Sequence, residues 1–345
     1  MAGGVEYRFS HRRYRLPFRA VVRTAHGPWA ERDGAIVRVE DEAGRVGYGE
    51  AAPLPRFGTE TIEEIDGVCR GLGGRITAQA LAEVPARLGC LRHALGAAIG
   101  EWAEADGAAV AAEANETLTV SALLPAGRAV LEAVKPKLEI GFRTFKWKVG
   151  VGDPADEISL LDDLCAELPE GAKLRLDANG AWDRRKAERW LERCAERPVE
   201  FVEQPIAADA RGSEDLLRGL AADFPVTLAL DESLVGEGDV MRWLGLGWPG
   251  VYVLKLALVG DPAVTLARLA HAKAAVVFSS SLETAVGART ALRHAFAWKG
   301  ARRALGYGVW PLFADRRFDG PAAAPFLRRS DLAQLDPEAI WTALD

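Results

Sequence analysis

The sequence predicts an α/β protein: a parallel (β/α)₈ barrel preceded by a small α+β domain. Three observations carry this expectation. From about residue 117 onward, strand-like and helix-like runs alternate. Three acidic residues, Asp177, Glu203 and Asp231, close strand-like runs in KLRLDANG, EFVEQP and TLALDES. From Lys148 through those acids to Lys255 the steps are 29, 26, 28 and 24 residues. One βα unit takes roughly 31 residues when a barrel of about 250 is divided by eight. The charges therefore return once per unit, at strand C-terminal ends, where such a barrel keeps its active site.

Each element follows in order. In the first stretch, to about residue 57, VEYRFSHRRYRL, GAIVRVEDEAG and RVGYGEAAPL show partial alternation with turn signals at Gly and Asp. Helical patterns follow in TETIEEIDGVCRGL and QALAEVPARLGCLRHALGAAIGEWAEA, and Thr61 with Glu64 three residues on reads as a capping box. The barrel strands are TLTVSALL, TFKWKVG, KLRLDAN, EFVEQP, TLALDES, VYVLKLAL, AAVVFSSSLE and ALGYGVW. Between them lie amphipathic runs such as ADEISLLDDLCAEL, RRKAERWLERCAE, DVMRWLGLGW and PAVTLARLAHAKA, and Asp183 is placed to cap a helix. Eight strands with seven intervening helical segments fit a parallel barrel better than separate domains. The expected boundaries are 1–112 for the first domain, 113–310 for the barrel, and 311–345 for a turn-rich segment that returns to the first domain.

Composition excludes several classes of function. The net charge of −6, with Lys and Arg mixed among the acids, leaves no basic footprint for nucleic acid. MAGGVEYRFSHRRYRL lacks an apolar core, so no signal peptide is expected. No run of about 18 apolar residues is present, so no membrane span is expected. Cys69, Cys90, Cys165 and Cys194 are widely spaced without a CxxC, which reads as free thiols in a reducing cytoplasm. GLGLGWPG lacks the Lys-Ser/Thr of a phosphate loop. A small molecule is left as the expected partner, of a monomer or small homo-oligomer.

Side-chain alternation sharpens the site, because strand residues i and i+2 share a face. Lys146 and Lys148 point one way with Trp147 opposite; Arg175, Asp177 and Asn179 share a face, as do Phe201 with Glu203 and Val253 with Lys255. If those faces point inward, acids and bases meet at the barrel mouth, where each buried charge needs a partner. Three hard carboxylates suit Mg²⁺, with Mn²⁺ as the alternative. Such a cation stabilises the charge that develops when the carbon next to a substrate carboxylate loses a proton. A lysine becomes a base near neutral pH when another cation disfavours its charged form. On that argument Lys146, beside Lys148, suits the task, and Lys255 stands across the mouth at the opposite face of an enediolate.

The KxK pair, the D/E/D set on successive strands, DANGAW, EQP, DES and the later lysine resemble the enolase superfamily over nearly the whole chain. GYGEAAPLPRFGTET, VSALLPAG, RLDANGAW, LKLALVGDP and SSSLETAVG look most like its o-succinylbenzoate synthase family, of the muconate lactonizing enzyme-like subgroup and the menaquinone/phylloquinone pathway. The resemblance implies a (β/α)-barrel of enolase type with an α+β N-terminal capping domain. It implies that Asp177, Glu203 and Asp231 ligate Mg²⁺, and that Lys148, rather than Lys146, takes the α-proton of 2-succinyl-6-hydroxy-2,4-cyclohexadiene-1-carboxylate. Protonated Lys148 would then assist loss of the hydroxyl from the same face, with Lys255 stabilising the enediolate and Lys146 tuning Lys148. Arg175, Asn179, Gln204 and Glu232 become candidates for orienting the ligands. Substrate selection falls to cap loops carrying Thr24, His26 and Gly27, and Phe57 and Thr59. Ser279, Ser280, Ser281 and Glu283, after the seventh strand, would receive the succinyl carboxylate.

Rival readings use the same residues. An N-acylamino acid racemase or dipeptide epimerase would employ Lys148 and Lys255 as two bases, but ALGYGVWPLFADRRFDG lacks the Asp-x-Asp that would hold a dipeptide's ammonium. A muconate-type cycloisomerase is a third reading with these lysines. A non-catalytic barrel is disfavoured, since an idle site has no need of crowded charges. Arg175 also reads as a structural ion-pair partner, the serine run as a polar loop, and His26 as an ordinary loop residue. His11, His93, His271 and His294 lack ligand spacing and read as core or surface residues.

Overall fold

A long antiparallel hairpin opens the chain in the computed structural model, which describes residues 6–24, 27–105 and 115–344. β1 (Glu6–Thr24) pairs with β2 (Gly27–Glu40) from Arg8–Glu40 to Thr24–Gly27, with a register shift between Pro17 and Val22. β3 (Val46–Ala51) adds to β2. The sheet packs on α1 (Ile62–Leu72), whose first turn carries the capping box of Thr61 and Glu64. β4 (Arg75–Thr77), α2 (Ala78–Ala82) and α3 (Gly89–Ala105) follow, with β4 on the free side of β1. The single helical run expected from Gln79 is broken, and α2 stops before Pro85. Proline has no N–H to give a helix and biases the residue before it toward extended backbone. Gly49 lets β3 lie directly on α3, since a Cβ there would stand 1.9 Å from the Ala94 carbonyl oxygen.

Beyond the cap, β5 (Thr117–Thr119) leads into seven parallel strands with helices between them. In order these are β6 (Ala122–Leu124), α4 (Val130–Glu139), β7 (Thr144–Lys148), α5 (Pro154–Glu167), β8 (Lys173–Asp177), α6 (Arg184–Cys194) and β9 (Val199–Glu203). There follow α7 (Ser213–Asp223), β10 (Leu228–Leu230), α8 (Glu237–Gly245), β11 (Val251–Leu254), α9 (Pro262–His271), β12 (Ala275–Phe278) and α10 (Ala285–Ala297). α6 illustrates why these runs are helical. Asp183 caps it by accepting from the Lys186 N–H, and Ala187, Trp190, Leu191 and Cys194 recur at the spacing that buries one stripe.

The eighth strand is corrected to a shorter element. Leu305 and Gly306 bridge Val120 on one side and Ser279 on the other, closing the sheet between β6 and β12. Leu305 N–H donates to the Thr119 carbonyl (2.8 Å) and Gly306 N–H to that of Phe278 (2.8 Å). Gly306 permits this, because a Cβ would meet Ser279 Oγ at 2.8 Å.

Alternation sorts the strand residues into two layers. Leu174, Leu176, Val202, Leu228, Leu230, Tyr252, Leu254 and Val276 pack outward in the large core shared with the helices. Phe201, Ala229, Val251, Val253 and Val277 form a separate cluster that fills the barrel interior. The last segment adds β13 (Phe326–Arg328), antiparallel to β5, and α11 (Pro337–Ala343). It runs back along the cap: Arg12 donates to the Trp341 carbonyl (2.5 Å) and lies 4.2 Å from that ring's centre. Among the described residues no helix is long and apolar enough to cross a membrane.

Candidate active site

The alternation that buries Phe201 and Val253 inside the barrel brings Glu203 and Lys255 inward two residues later. Asp177 ends β8, and Asp231 directly follows β10. Lys148, Asp177 and Glu203 are neighbours in register across β7, β8 and β9. Lys146 lies one layer lower and reaches upward, its Nζ 2.8 Å from Asp177 Oδ2 and 2.7 Å from Glu203 Oε1. Lys255 donates to Asp231 Oδ1. The structure thus brings all three acids and all three lysines to one end of the barrel.

The electrostatics divide the lysines. Burial pulls Lys146 down, but Asp177, Glu203 and Asp231 outweigh it and hold its ammonium well above the usual lysine range. Lys148 is half-buried and lowered, by desolvation first, with Asp177 and Glu232 opposing and Lys146 assisting. Lys148 is therefore the lysine biased toward the neutral form. Lys146, which the local argument favoured as base, here serves two carboxylates. Glu203 is raised well above the carboxylate range by burial and by Asp177, with Lys146 opposing and Asp231 adding. Glu232 is pushed up to about 7, by burial before the charges of Asp231 and Asp177.

These shifts mark a cluster short of positive charge. Among the described residues no three acidic, His or Cys groups stand close enough to share a metal as they are. The ammonium groups of Lys146 and Lys255 occupy the carboxylate oxygens instead. The donors nevertheless fit a hard divalent cation: three acids, all oxygen, converging beside Lys146 and Lys255.

Neighbouring groups hold the strand ends. Gln204, fully buried, accepts from the N–H groups of Asp231 (3.0 Å) and Ser233 (3.2 Å) and donates to the Ile206 carbonyl and Ser233 Oγ. Asn179 donates its backbone N–H to Asp177 Oδ1 (3.1 Å) and its amide to Glu232 Oε1 (3.0 Å). Arg175 is different. It donates to Glu200 Oε2 (2.7 Å) and the Ala304 carbonyl (2.7 Å) and lies 4.9 Å from the Phe201 ring centre, on the barrel floor below the acids. Of its two readings, ligand orienter and structural ion-pair partner, these bonds support the second, inside the barrel where Glu200 also receives Arg303.

The cap contributes unevenly. Phe57 places its ring centre 4.5 Å from Lys255 Nζ. Gly27 faces Arg56, whose Nη1 would lie 3.5 Å from an added Cβ. The Thr59 hydroxyl is committed to backbone, accepting from Leu54 N–H (2.7 Å) and donating to its neighbour's carbonyl. The Thr24 side chain and all of His26 lie outside the described residues. In the expected serine cradle, Ser280 Oγ, Ser281 N–H and Ser281 Oγ all donate to Glu283. Of that run, Ser279 faces inward, its N–H bonded to the Leu254 carbonyl (2.8 Å).

One inward residue was missed. Leu123 pairs with Lys146 in register and is 37% exposed, while Ala122 and Leu124 beside it are buried. The alternation within TLTVSALL was the available signal.

Comparison with known proteins agrees with this architecture. The family model described as enolase C-terminal domain-like matches residues 128–325, and that described as MenC, N-terminal domain, matches residues 8–83. An o-succinylbenzoate synthase of Thermosynechococcus vestitus is 41% identical over 307 residues, covering 88% of this chain and 92% of that protein. A chloromuconate cycloisomerase of Pseudomonas putida is 35% identical over only 44% of this chain and 41% of its own. The crystal structure of o-succinylbenzoate synthase from Thermosynechococcus elongatus BP-1, complexed with Mg in the active site, superposes with a TM-score of 0.82 at 37% identity, covering 97% of this chain and 99% of that one. The L-Ala-D/L-Glu epimerase of Bacillus subtilis shares the fold, with a TM-score of 0.79 at 21% identity over 93% of this chain and 95% of that one. By the inward acids and lysines and by likeness over most of its length, the chain belongs to the o-succinylbenzoate synthase family of the enolase superfamily.

Proposed function

We propose that the chain acts as a hydro-lyase in menaquinone or phylloquinone synthesis, converting 2-succinyl-6-hydroxy-2,4-cyclohexadiene-1-carboxylate to 2-succinylbenzoate. The observation that carries this reading is the pair of lysines, Lys148 and Lys255, on opposite sides of three converging carboxylates. Asp177, Glu203 and Asp231 would hold Mg²⁺, or Mn²⁺ in its place, which supplies positive charge to the substrate carboxylate while the adjacent carbon is deprotonated.

Lys148 Nζ, biased neutral, takes the α-proton. The electron pair left behind spreads into the carboxylate, and Lys255 Nζ–H⁺ faces it from the other side. The proton now on Lys148 Nζ passes to the leaving hydroxyl on the same face. The C–O bonding electrons depart with that oxygen as water, and the ring becomes aromatic. Lys146 stays protonated, keeping Asp177 and Glu203 in place. Leu123 and Phe57 offer apolar walls for the ring. Four free cysteines support a reducing, cytoplasmic setting, for a monomer or small homo-oligomer.

The test is an ultraviolet assay that follows loss of the diene with Mg²⁺ present. Efficient turnover is expected, with Lys148→Ala losing about 10²–10⁴-fold, the usual contribution of a positioned acid–base group. Chelation should abolish activity and added Mg²⁺ restore it. Folded, metal-loaded protein without turnover would reject the reading, as would a fully active Lys148→Ala.

A further inference from the structure

Glu50 and Arg32 lie outside the acid–lysine cluster, yet each is only 1% exposed and each ties the cap to the loop after β12. Glu50, in β3, accepts from Tyr14 OH (2.5 Å), Thr284 N–H (2.9 Å), Thr284 Oγ1 (2.5 Å) and Gly287 N–H (2.8 Å). Three of those donors come from the start of α10. The helix can close on the carboxylate because residue 287 is glycine; a Cβ there would lie 2.9 Å from Glu50 Oε2.

Arg32, in β2, fans its donors over five carbonyls. Those of Asp33 (2.8 Å), Ala52 (2.7 Å) and Pro53 (2.7 Å) belong to the cap. Those of Leu282 (3.2 Å) and Ser281 (3.3 Å) belong to the barrel loop. Ala52 and Pro53 lead directly into the Pro55–Phe57 turn that sets Phe57 over Lys255. The barrel loop is braced internally by Glu283, so it moves with whatever holds its backbone.

We propose that Arg32 and Glu50 are positioning residues that clamp the Ser279–Thr284 loop to the Ala52–Thr59 segment, and so fix the distance between two walls of the substrate pocket. A fully satisfied buried network specifies one arrangement where apolar packing tolerates several. The fan of Arg32 joins two separate backbone segments, which a lysine's compact ammonium does not reproduce. The acceptor role of Glu50 is equally specific. A glutamine of the same shape must turn an NH₂ toward donors on one side or the other, leaving them unpaired. The role in catalysis rests on the hydro-lyase reading above, whereas the clamp itself does not.

The experiment compares wild type, Glu50→Gln and Arg32→Lys by steady-state kinetics in the diene assay and by amide hydrogen exchange. Both variants should raise KM about tenfold while kcat stays within about threefold. Exchange should quicken in residues 279–287 and 52–59 while the barrel strands keep their protection. A lowered melting temperature with unchanged KM and exchange quickened throughout the cap would show a merely structural pair and overturn the proposal. A fall in kcat at constant KM would overturn it too. Should Glu50→Gln not fold, Thr284→Val removes one donor to the same carboxylate and carries the same two readouts. Wild type that folds without turnover would reject the hydro-lyase reading, and the exchange pattern would still decide whether the clamp exists.

Discussion

Lys146 and Lys148 share one strand face, two residues apart, and differ in what stands opposite them. Burial is the largest influence on both, but the carboxylates within 2.8 Å of Lys146 outweigh it there, while at Lys148 burial prevails over Asp177 and Glu232. Which residue types gather at the mouth was legible from spacing and alternation. Which lysine carries a mobile proton was not, because that depends on acids 31 and 57 positions away along the chain. Leu123 allows a test at this scale. It already meets solvent, so Leu123→Asn should leave the melting temperature within about 2 °C, surface changes being worth within ±0.5 kcal/mol. If the side chain lines the ring's pocket, KM should rise about tenfold, the ~1.4 kcal/mol expected from losing part of a buried apolar contact. Unchanged KM would remove Leu123 from the pocket.

At the scale of elements, the strand ends separate positioning from support. Gln204 spends three of its four side-chain bonds on the turn that carries Asp231 and Ser233 and the fourth on the Ile206 carbonyl, whereas Arg175 spends its bonds on Glu200 and Ala304. Local signals were readable: the Thr61–Glu64 box and the Asp183 cap involve residues three apart, and both form. Non-local ones were not. The partners of Arg175 lie 25 and 129 residues away, and the eighth strand shrinks to a bridge because closure depends on where β6 and β12 finally stand. Arg175→Met should therefore act on stability. Removing one member of a buried pair costs about 3–5 kcal/mol; because Arg303 still reaches Glu200, the lower end of that range is expected. Urea unfolding should report the loss, while kcat/KM and Mg²⁺ dependence of the folded variant stay near wild type. A stable variant with weakened Mg²⁺ response would return Arg175 to the metal site.

At the scale of the whole molecule, cap and barrel meet again where α3 sets His93 against the carbonyl of Val259, at 3.2 Å from Nδ1. A carbonyl accepts only, so Nδ1 carries the hydrogen. Nε2 is buried without a hydrogen-bond partner, so a second proton there would be a buried donor with no acceptor, which favours the neutral ring. Burial pushes its pKa down to about 4, with the nearby His294 adding to the effect. The unfolded histidine titrates near 6.5, so between those values the unfolded chain binds more protons than the folded one. Stability from this residue is thus fully present above about pH 6.5 and drains away as pH falls toward 4. The linkage amounts to about 2 kcal/mol between pH 7 and pH 5, and roughly 3 kcal/mol in all. Urea unfolding at pH 7 and pH 5 should show wild type losing that much more stability than His93→Asn, in which nothing titrates at this position. The difference should vanish between pH 7.5 and 8.5, where the histidine is neutral in both states. Parallel pH dependence in the two proteins would mean that the ring is not held neutral between cap and barrel, and that acid loosens the molecule elsewhere.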